Sequence, residues 1–251
     1  MVDTRRRGVE ELLANVPMFA QGGRAALAHL ARSAAVIDAP RGTVLFRRND
    51  PSQGIYFIGT GQVKLSIQTP TGAELVVGLI GPGESFGEST MFLGLPHTVG
   101  GEVLVNSRLV HIPARAVIAE VKRNPEFARR VILSLSTRLH NLITGLEGYT
   151  LRSGTQRVVG YLLNHLPPDD MGNGAPVLTL PAQKRIIASQ LNLTQEHFSR
   201  ILHELIAKGM IEVHGKVVTV RDLDALRSEA ATAPQQRSFV DTAQTGSTAL
   251  C

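Results

Sequence analysis

The chain has 251 residues, 43% hydrophobic and 19% charged, with a formal net charge of +5 at pH 7. That length supports one or two domains with their own cores, and the composition excludes a disordered chain. No apolar run is long enough to span a bilayer. One cysteine, Cys251, excludes an internal disulfide and an iron–sulfur cluster held by four thiolates of the chain. Residues 1–10 carry the Arg5-Arg6-Arg7 cluster with no apolar stretch behind it, so no secretory signal is expected and a reducing cytoplasm fits. The positive charge permits a polyanionic partner without requiring one.

In chain order, 9–31 reads as helix. From there to Pro113 the punctuation is that of an all-β domain: turn clusters such as Asn49-Asp50-Pro51, Gly59-Thr60-Gly61 and Gly81-Pro82-Gly83 separate short apolar runs. The runs 55–58, 63–67, 75–80, 103–105 and 109–112 have strand length, and 63–67 alternates apolar with polar as a half-buried strand should. Short strands at this spacing predict a sandwich or jelly roll. Pro113 suits a helix start, with helix predicted over 115–122, and Asn124-Pro125 opens another. In that second helix Ile132, Leu135, Leu139, Leu142, Leu146 and Tyr149 follow alternating steps of three and four, the ~3.5-residue period of a coiled-coil seam. The seam fits either a subunit interface or packing on the helix's own domain. Its length, directly after a β domain, favours the interface.

Helix is predicted again over 155–165, 184–191 and 195–208, with a turn at 192–194. Thr194 is a good N-cap and Gly209 a plausible stop for the last of these. A hairpin follows, with strands at 210–213 and 216–220 around His214-Gly215. From about residue 228, Ala, Thr, Gln, Ser and Gly dominate and disorder is expected.

Helix, short turn, helix and hairpin make the layout of a winged helix-turn-helix, whose second helix enters the major groove. Here that helix opens Gln195-Glu196-His197-Phe198-Ser199-Arg200. Arg can fork onto guanine, Glu can accept from cytosine N4, and Ser can meet either kind of base edge. Glu196 and Arg200, four apart, would suit a surface ion pair equally well; the flanking helix and hairpin favour DNA. Lys216 in the hairpin reads as a phosphate contact. No nucleophile–base pair, metal motif or phosphate loop is present, so an enzyme is not expected.

Over roughly residues 10–227 the chain resembles the Crp/Fnr superfamily of bacterial transcription factors. The likeness is carried by Gly83-Glu84-Ser85-Phe86-Gly87-Glu88, by Arg138 on the long helix, and by the recognition helix with its hairpin. It implies an α+β chain with a β-roll sensor like the cyclic-nucleotide-binding jelly roll (1–123), a dimerisation helix (124–150), a winged helix-turn-helix (151–227) and a tail (228–251). It further implies a homodimer on double-stranded DNA, working with RNA polymerase and without a membrane. Glu196, Ser199 and Arg200 fill the Fnr-type signature, while Gln195 stands where Crp-type readers carry Arg; the implied site is an inverted repeat of TTGAT rather than TGTGA.

Cyclic-AMP-binding relatives use Gly-Glu for ribose, Arg-Ser for phosphate and a polar pair on the helix. Gly87-Glu88 match the first, but Thr98-Val99 replace the second and Leu142-Ile143 the third. Without that Arg the phosphate charge would be buried uncompensated, so cyclic AMP is not expected. The cysteine cluster of oxygen-sensing Fnr proteins and the Cys/His of the carbon-monoxide branch are both missing. The runs 91–93, 133–140 and 156–163 look most like the cysteine-poor Dnr branch. That resemblance implies haem b, nitric oxide and control of denitrification. No spacing identifies an axial ligand. His97 is the best-placed candidate, with His29, His111 and His140 behind it; His140 is expected to face solvent and His111 to hydrogen-bond within a strand. His197, His203 and His214 read as phosphate contacts or surface residues. A cyclic-nucleotide module governing an enzyme or channel is the competing class, and a regulator without a small-molecule effector the third.

Overall fold

The computed structural model describes residues 8–13, 16, 24–69, 72, 74–150, 153–167 and 175–231. The described chain falls into two compact units, one drawn from 1–146 and 180–200, the other from 147–179 and 201–251.

The first unit is built on an antiparallel sheet. Its strands are β1 (Ala35–Ala39), β2 (Val44–Phe46), β3 (Gly54–Gln68), β4 (Glu74–Ile80), β5 (Ser85–Phe86) and β6 (Gly100–Pro113). The order is β1-β6-β3-β4, with β2 on β6 and β5 on β3. The apolar runs on β3 and β6 are continuous because both faces are buried. Ile55 and Phe57, with Val110 and Ile112, point into a core shared with helices; Ile58 and Leu109, of opposite parity, point into the interior of the roll with Val63, Val103 and Phe86. The helical core comes from residues 8–13 (α1), α2 (Arg24–Leu30), α4 (Ala114–Arg123) and the first turns of α5 (Pro125–Thr150), with the short α3 (Glu88–Leu93) beside it.

The structure differs from the sequence expectations in several places. The helix expected over 9–31 is two helices, α1 and α2, with 17–23 outside the described residues. The runs 55–58 and 63–67 form one strand, as do 103–105 and 109–112. Gly59-Thr60-Gly61 does not end β3; it is absorbed as shifts of register against β6 between Ile58 and Val63. The polar alternation of 63–67 also misleads at Lys64, which is buried. Burial alone would depress its ammonium, but Glu74 at 2.6 Å and Glu102 at 2.8 Å outweigh burial and hold it charged.

The joint between α4 and α5 is polar and buried. Glu120, with no exposed surface, accepts from Arg123 (2.5 Å) and Asn124 Nδ2 (3.1 Å), and His29 Nδ1 lies 3.0 Å away. Asn124 Oδ1 in turn accepts from the Phe127 N–H (3.1 Å), capping α5 just ahead of Pro125 at its first position.

The second unit holds α6 (Gly154–Asn164), a three-stranded sheet of order β7-β9-β8, and α9 (Leu223–Ala231). Ser153 and Gln156 form a reciprocal capping box at the start of α6. The predicted hairpin is present as β8 (Ile211–His214) and β9 (Val217–Val220), with Lys216 in the turn rather than on the strand. Strand β7 (Val177–Thr179), missed in the sequence, pairs with β9. Helix continues through Ser228 to Ala231 where disorder was expected, because Leu226 is buried and Gln156 Nε2 reaches the Ala230 carbonyl at 3.4 Å. Residues 232–251 lie outside the described residues. Helix α7 (Lys184–Gln190) belongs to the first unit, and α8 (Gln195–Ala207) runs through both.

Gly61 fixes the β3 irregularity. Its φ is +96°, and a Cβ there would sit 2.1 Å from Ser107 Oγ, which accepts from the Gln62 N–H. Gly61→Ala should therefore lower the unfolding free energy by at least ~1 kcal/mol, read as a fall in urea midpoint at unchanged slope.

Candidate nucleic-acid interface and sensor pocket

Helix α8 separates into two faces. Phe198, Ile201, Leu202 and Leu205 are buried at i, i+3, i+4 and i+7. Gln195, Glu196 and Arg200 are exposed and Ser199 is half-buried. Its start is set by Thr194, whose Oγ1 accepts from the His197 N–H at 3.2 Å. The sharp turn before it uses Asn192 at φ +52° and the Leu193 N–H to Ala188 carbonyl bond at 2.8 Å. Among the described residues no ion pair joins Glu196 to Arg200, so the guanidinium keeps all its donors for another partner. Gly209, at φ +72°, ends the helix, and Lys216 is exposed in the hairpin turn.

Helix α5 also has two faces. Phe127 and Val131 are buried in the β-roll core, Leu135 is half-buried against it, and Arg138 reaches the roll. Ile132, Leu139 and Leu142 stand 62%, 59% and 59% exposed, with Leu133 beside them. About three turns of helix, from Ile132 to Leu142, thus present exposed apolar side chains among the described residues. Of the seam residues, Leu135 is shared with the chain's own core; the side chains of Leu146 and Tyr149, and of Ile143 in the expected pocket, lie outside the described residues.

The structure brings Glu88 and Arg138 together. Gly87, at φ +92°, turns the chain so that Glu88 opens α3 pointing inward, 3% exposed. Arg138 donates one nitrogen to Glu88 Oε1 and another to the Ser85 carbonyl (2.6 Å). Glu88 Oε2 is buried without a partner and faces a cavity of about 10 Å³ lined by Ile55, Phe57, Phe92, Ser134 and Leu135. The roll interior is filled by rings: Tyr56 stacks on Phe86 at 5.1 Å, and Phe46 lies 5.7 Å from Tyr56.

His97 belongs to this layer rather than to the cavity. It is 4% exposed, stacked on Phe46 at 3.8 Å, with Nδ1 3.4 Å from Thr90 Oγ1. Burial lowers its pKa, against a smaller opposing pull from Asp50. Thr98 is exposed and Val99 packs against the inner core. His111 packs on Tyr56 at 4.6 Å, and burial lowers its pKa too. Contrary to the strand hydrogen bond expected of it, His111 Nε2 is buried without a partner. His140 is exposed, and His29 serves the Glu120 joint. The sequence offers Gly87, Glu88, His97, Arg138, Leu142 and Ile143 as residues of one pocket, but the direct Glu88–Arg138 pairing and the aromatic layer depend on which strands and helices become neighbours.

A β-roll, a long helix with an open apolar stripe and a helix-turn-helix with a hairpin define a DNA-binding regulator of the sensor-and-reader type. Comparison with known proteins agrees. Residues 36–124 match the cyclic nucleotide-binding domain, and residues 156–229 the Crp-like helix-turn-helix domain. A curated relative, the CRP-like cAMP-activated global transcriptional regulator of Mycobacterium tuberculosis, is 26% identical over 223 residues, covering 88% of this chain and all of that protein. A solved putative cyclic nucleotide binding protein from Ruegeria pomeroyi is 29% identical with a TM-score of 0.58, covering 90% of this chain and 99% of its own. FixK2 from Bradyrhizobium japonicum shares the fold, with a TM-score of 0.69 at 20% identity over 80% of this chain and 98% of its own. The chain belongs to the Crp/Fnr family of transcription regulators. No described helix is long and apolar enough to cross a membrane.

The pairing at Glu88 is open to a direct check. Arg138→Ala leaves a buried carboxylate alone. It should cost about 2–3 kcal/mol, below the ~3–5 of a fully buried pair because Arg138 is 37% exposed. Adding Glu88→Gln should recover part of that loss in chemical denaturation.

Proposed function

We propose that the chain acts as a homodimer, joined along the open stripe of α5, that reads an Fnr-like inverted repeat of TTGAT half-sites and regulates transcription with RNA polymerase. The observation that carries this is the exposed Gln195, Glu196 and Arg200 surface at the start of α8, backed by a fully buried opposite face. Each half-site holds one G·C pair. Arg200 forks onto guanine O6 and N7, Glu196 accepts from the partner cytosine, and Ser199 sits against a neighbouring thymine. Gln195 has no fork for the further guanine of TGTGA.

The mycobacterial relative is cAMP-activated by name. Here we infer a different or absent effector. Thr98 and Val99 offer no cation to a phosphate, and Glu88, the ribose-binding position, is engaged by Arg138. Haem b, nitric oxide and a denitrification role enter only through the resemblance to the Dnr branch. The cavity at Glu88 does not fit a porphyrin: it is about 10 Å³, against ~300–1,000 Å³ for small-molecule sites, and His97 is taken up by Phe46 and Thr90.

Two experiments test the proposal. In binding titrations at one fixed salt concentration, wild type should prefer the TTGAT palindrome and Gln195→Arg should move toward TGTGA. Arg200→Ala should cost about 1–3 kcal/mol and flatten the preference at the guanine, whereas Lys216→Ala should weaken all sequences alike and lower the salt slope by about one. Full guanine selectivity in Arg200→Ala sinks the residue assignment. Separately, Leu139→Asp places a charge in the apolar stripe and should give monomer mass in light scattering; an unchanged dimer would move the interface elsewhere.

A further inference from the structure

Strand β4 is the outer edge of the sensor sheet, paired with β3 on one side and, among the described residues, with no strand on the other. In an extended strand, alternate residues turn their backbone groups to the same edge. The Glu74 carbonyl and the Val76 N–H thus point outward side by side. Such edges invite pairing, and proteins usually cover them. Here the cover is one side chain of α7: Ser189 Oγ donates to the Glu74 carbonyl at 2.6 Å and accepts from the Val76 N–H at 3.0 Å. One hydroxyl meets the two groups that a residue of a parallel strand, opposite Leu75, would meet. A helical serine ordinarily returns its hydroxyl to a carbonyl one turn back; Ser189 turns it to the sheet instead. Arg185, one turn earlier, lies near enough to favour the Glu74 carboxylate, which Lys64 and Ser66 also hold.

Helix α7 is the first helix of the helix-turn-helix, and with it held in this way Gln195, Glu196 and Arg200 of the next helix remain exposed. We propose that Ser189 is a positioning residue for DNA binding. It fastens the first helix of the reader to the edge strand of the sensor in an arrangement that leaves the recognition surface free, so that displacement of β4 is felt as DNA affinity. The inference rests on α8 being the reader, and not on which half-site it reads.

The test has two readouts on the full-length dimer. Amide hydrogen exchange without DNA should show Val76 protected, and Ser189→Ala should speed its exchange about 5-fold, the effect of losing one ordinary hydrogen bond. The same substitution should weaken binding to the preferred palindrome by about 2- to 10-fold while leaving the preference at the guanine unchanged. Ser189→Thr keeps the hydroxyl and should restore both. Unchanged Val76 exchange in Ser189→Ala overturns the bond. Faster exchange with equal or tighter DNA binding overturns the positioning role. Wild type that binds no DNA strikes the reader assignment itself, and with it the coupling, while the bond stays readable at Val76.

Discussion

Helix α5 has to satisfy two surfaces at once. Its first turns bury Phe127 and Val131 in the β-roll core, and Arg138 is tied to Glu88 and Ser85. Ile132, Leu139 and Leu142 meanwhile remain for another surface. The direction of α5 is set further upstream by Glu120, which gathers Arg123, Asn124 and His29 where two helices meet. A buried carboxylate is costly unless its lone pairs are filled, so the bend between α4 and α5 is held by more than packing.

The sensor half keeps the outline of a nucleotide-binding roll without its polar furniture. Gly87 still makes the left-handed turn that aims Glu88 inward. The carboxylate meets the protein's own guanidinium, and aromatic rings fill the roll interior.

Much of this was legible because it is local. The helix, turn and helix from Lys184 to Ala207 followed from an N-cap, an apolar period and a glycine stop, and the structure places Thr194, Phe198 and Gly209 in those roles. The β-roll was legible as a class from its turn spacing, but its strand boundaries were not. Glycines at 59 and 61 look like a turn, and only the neighbouring β6, with Ser107 opposite, shows that they form an irregularity within one strand. Lys64 failed for a similar reason: two glutamates on adjacent strands make a buried ammonium tolerable, and neither is near it in sequence. Strand β7 has three residues, too few for a periodic signal, and α9 was hidden in an alanine-rich stretch that reads as tail.

The pairing of β7 with β9 has a topological meaning. Residues on either side of the helix-turn-helix enter and leave through adjacent strands of one small sheet, so the two helices form a loop closed at its base by backbone hydrogen bonds. Closing that loop restricts the segment between its ends, at an entropic cost that grows only slowly with its length. The helix-turn-helix is therefore an insert with a zipped neck, and one strand of its hairpin is the far side of the zip. Cutting the chain ahead of Val177 would keep both helices and the hairpin but preserve the neck; cutting just after Thr179 would leave the helices intact in sequence and open at the base.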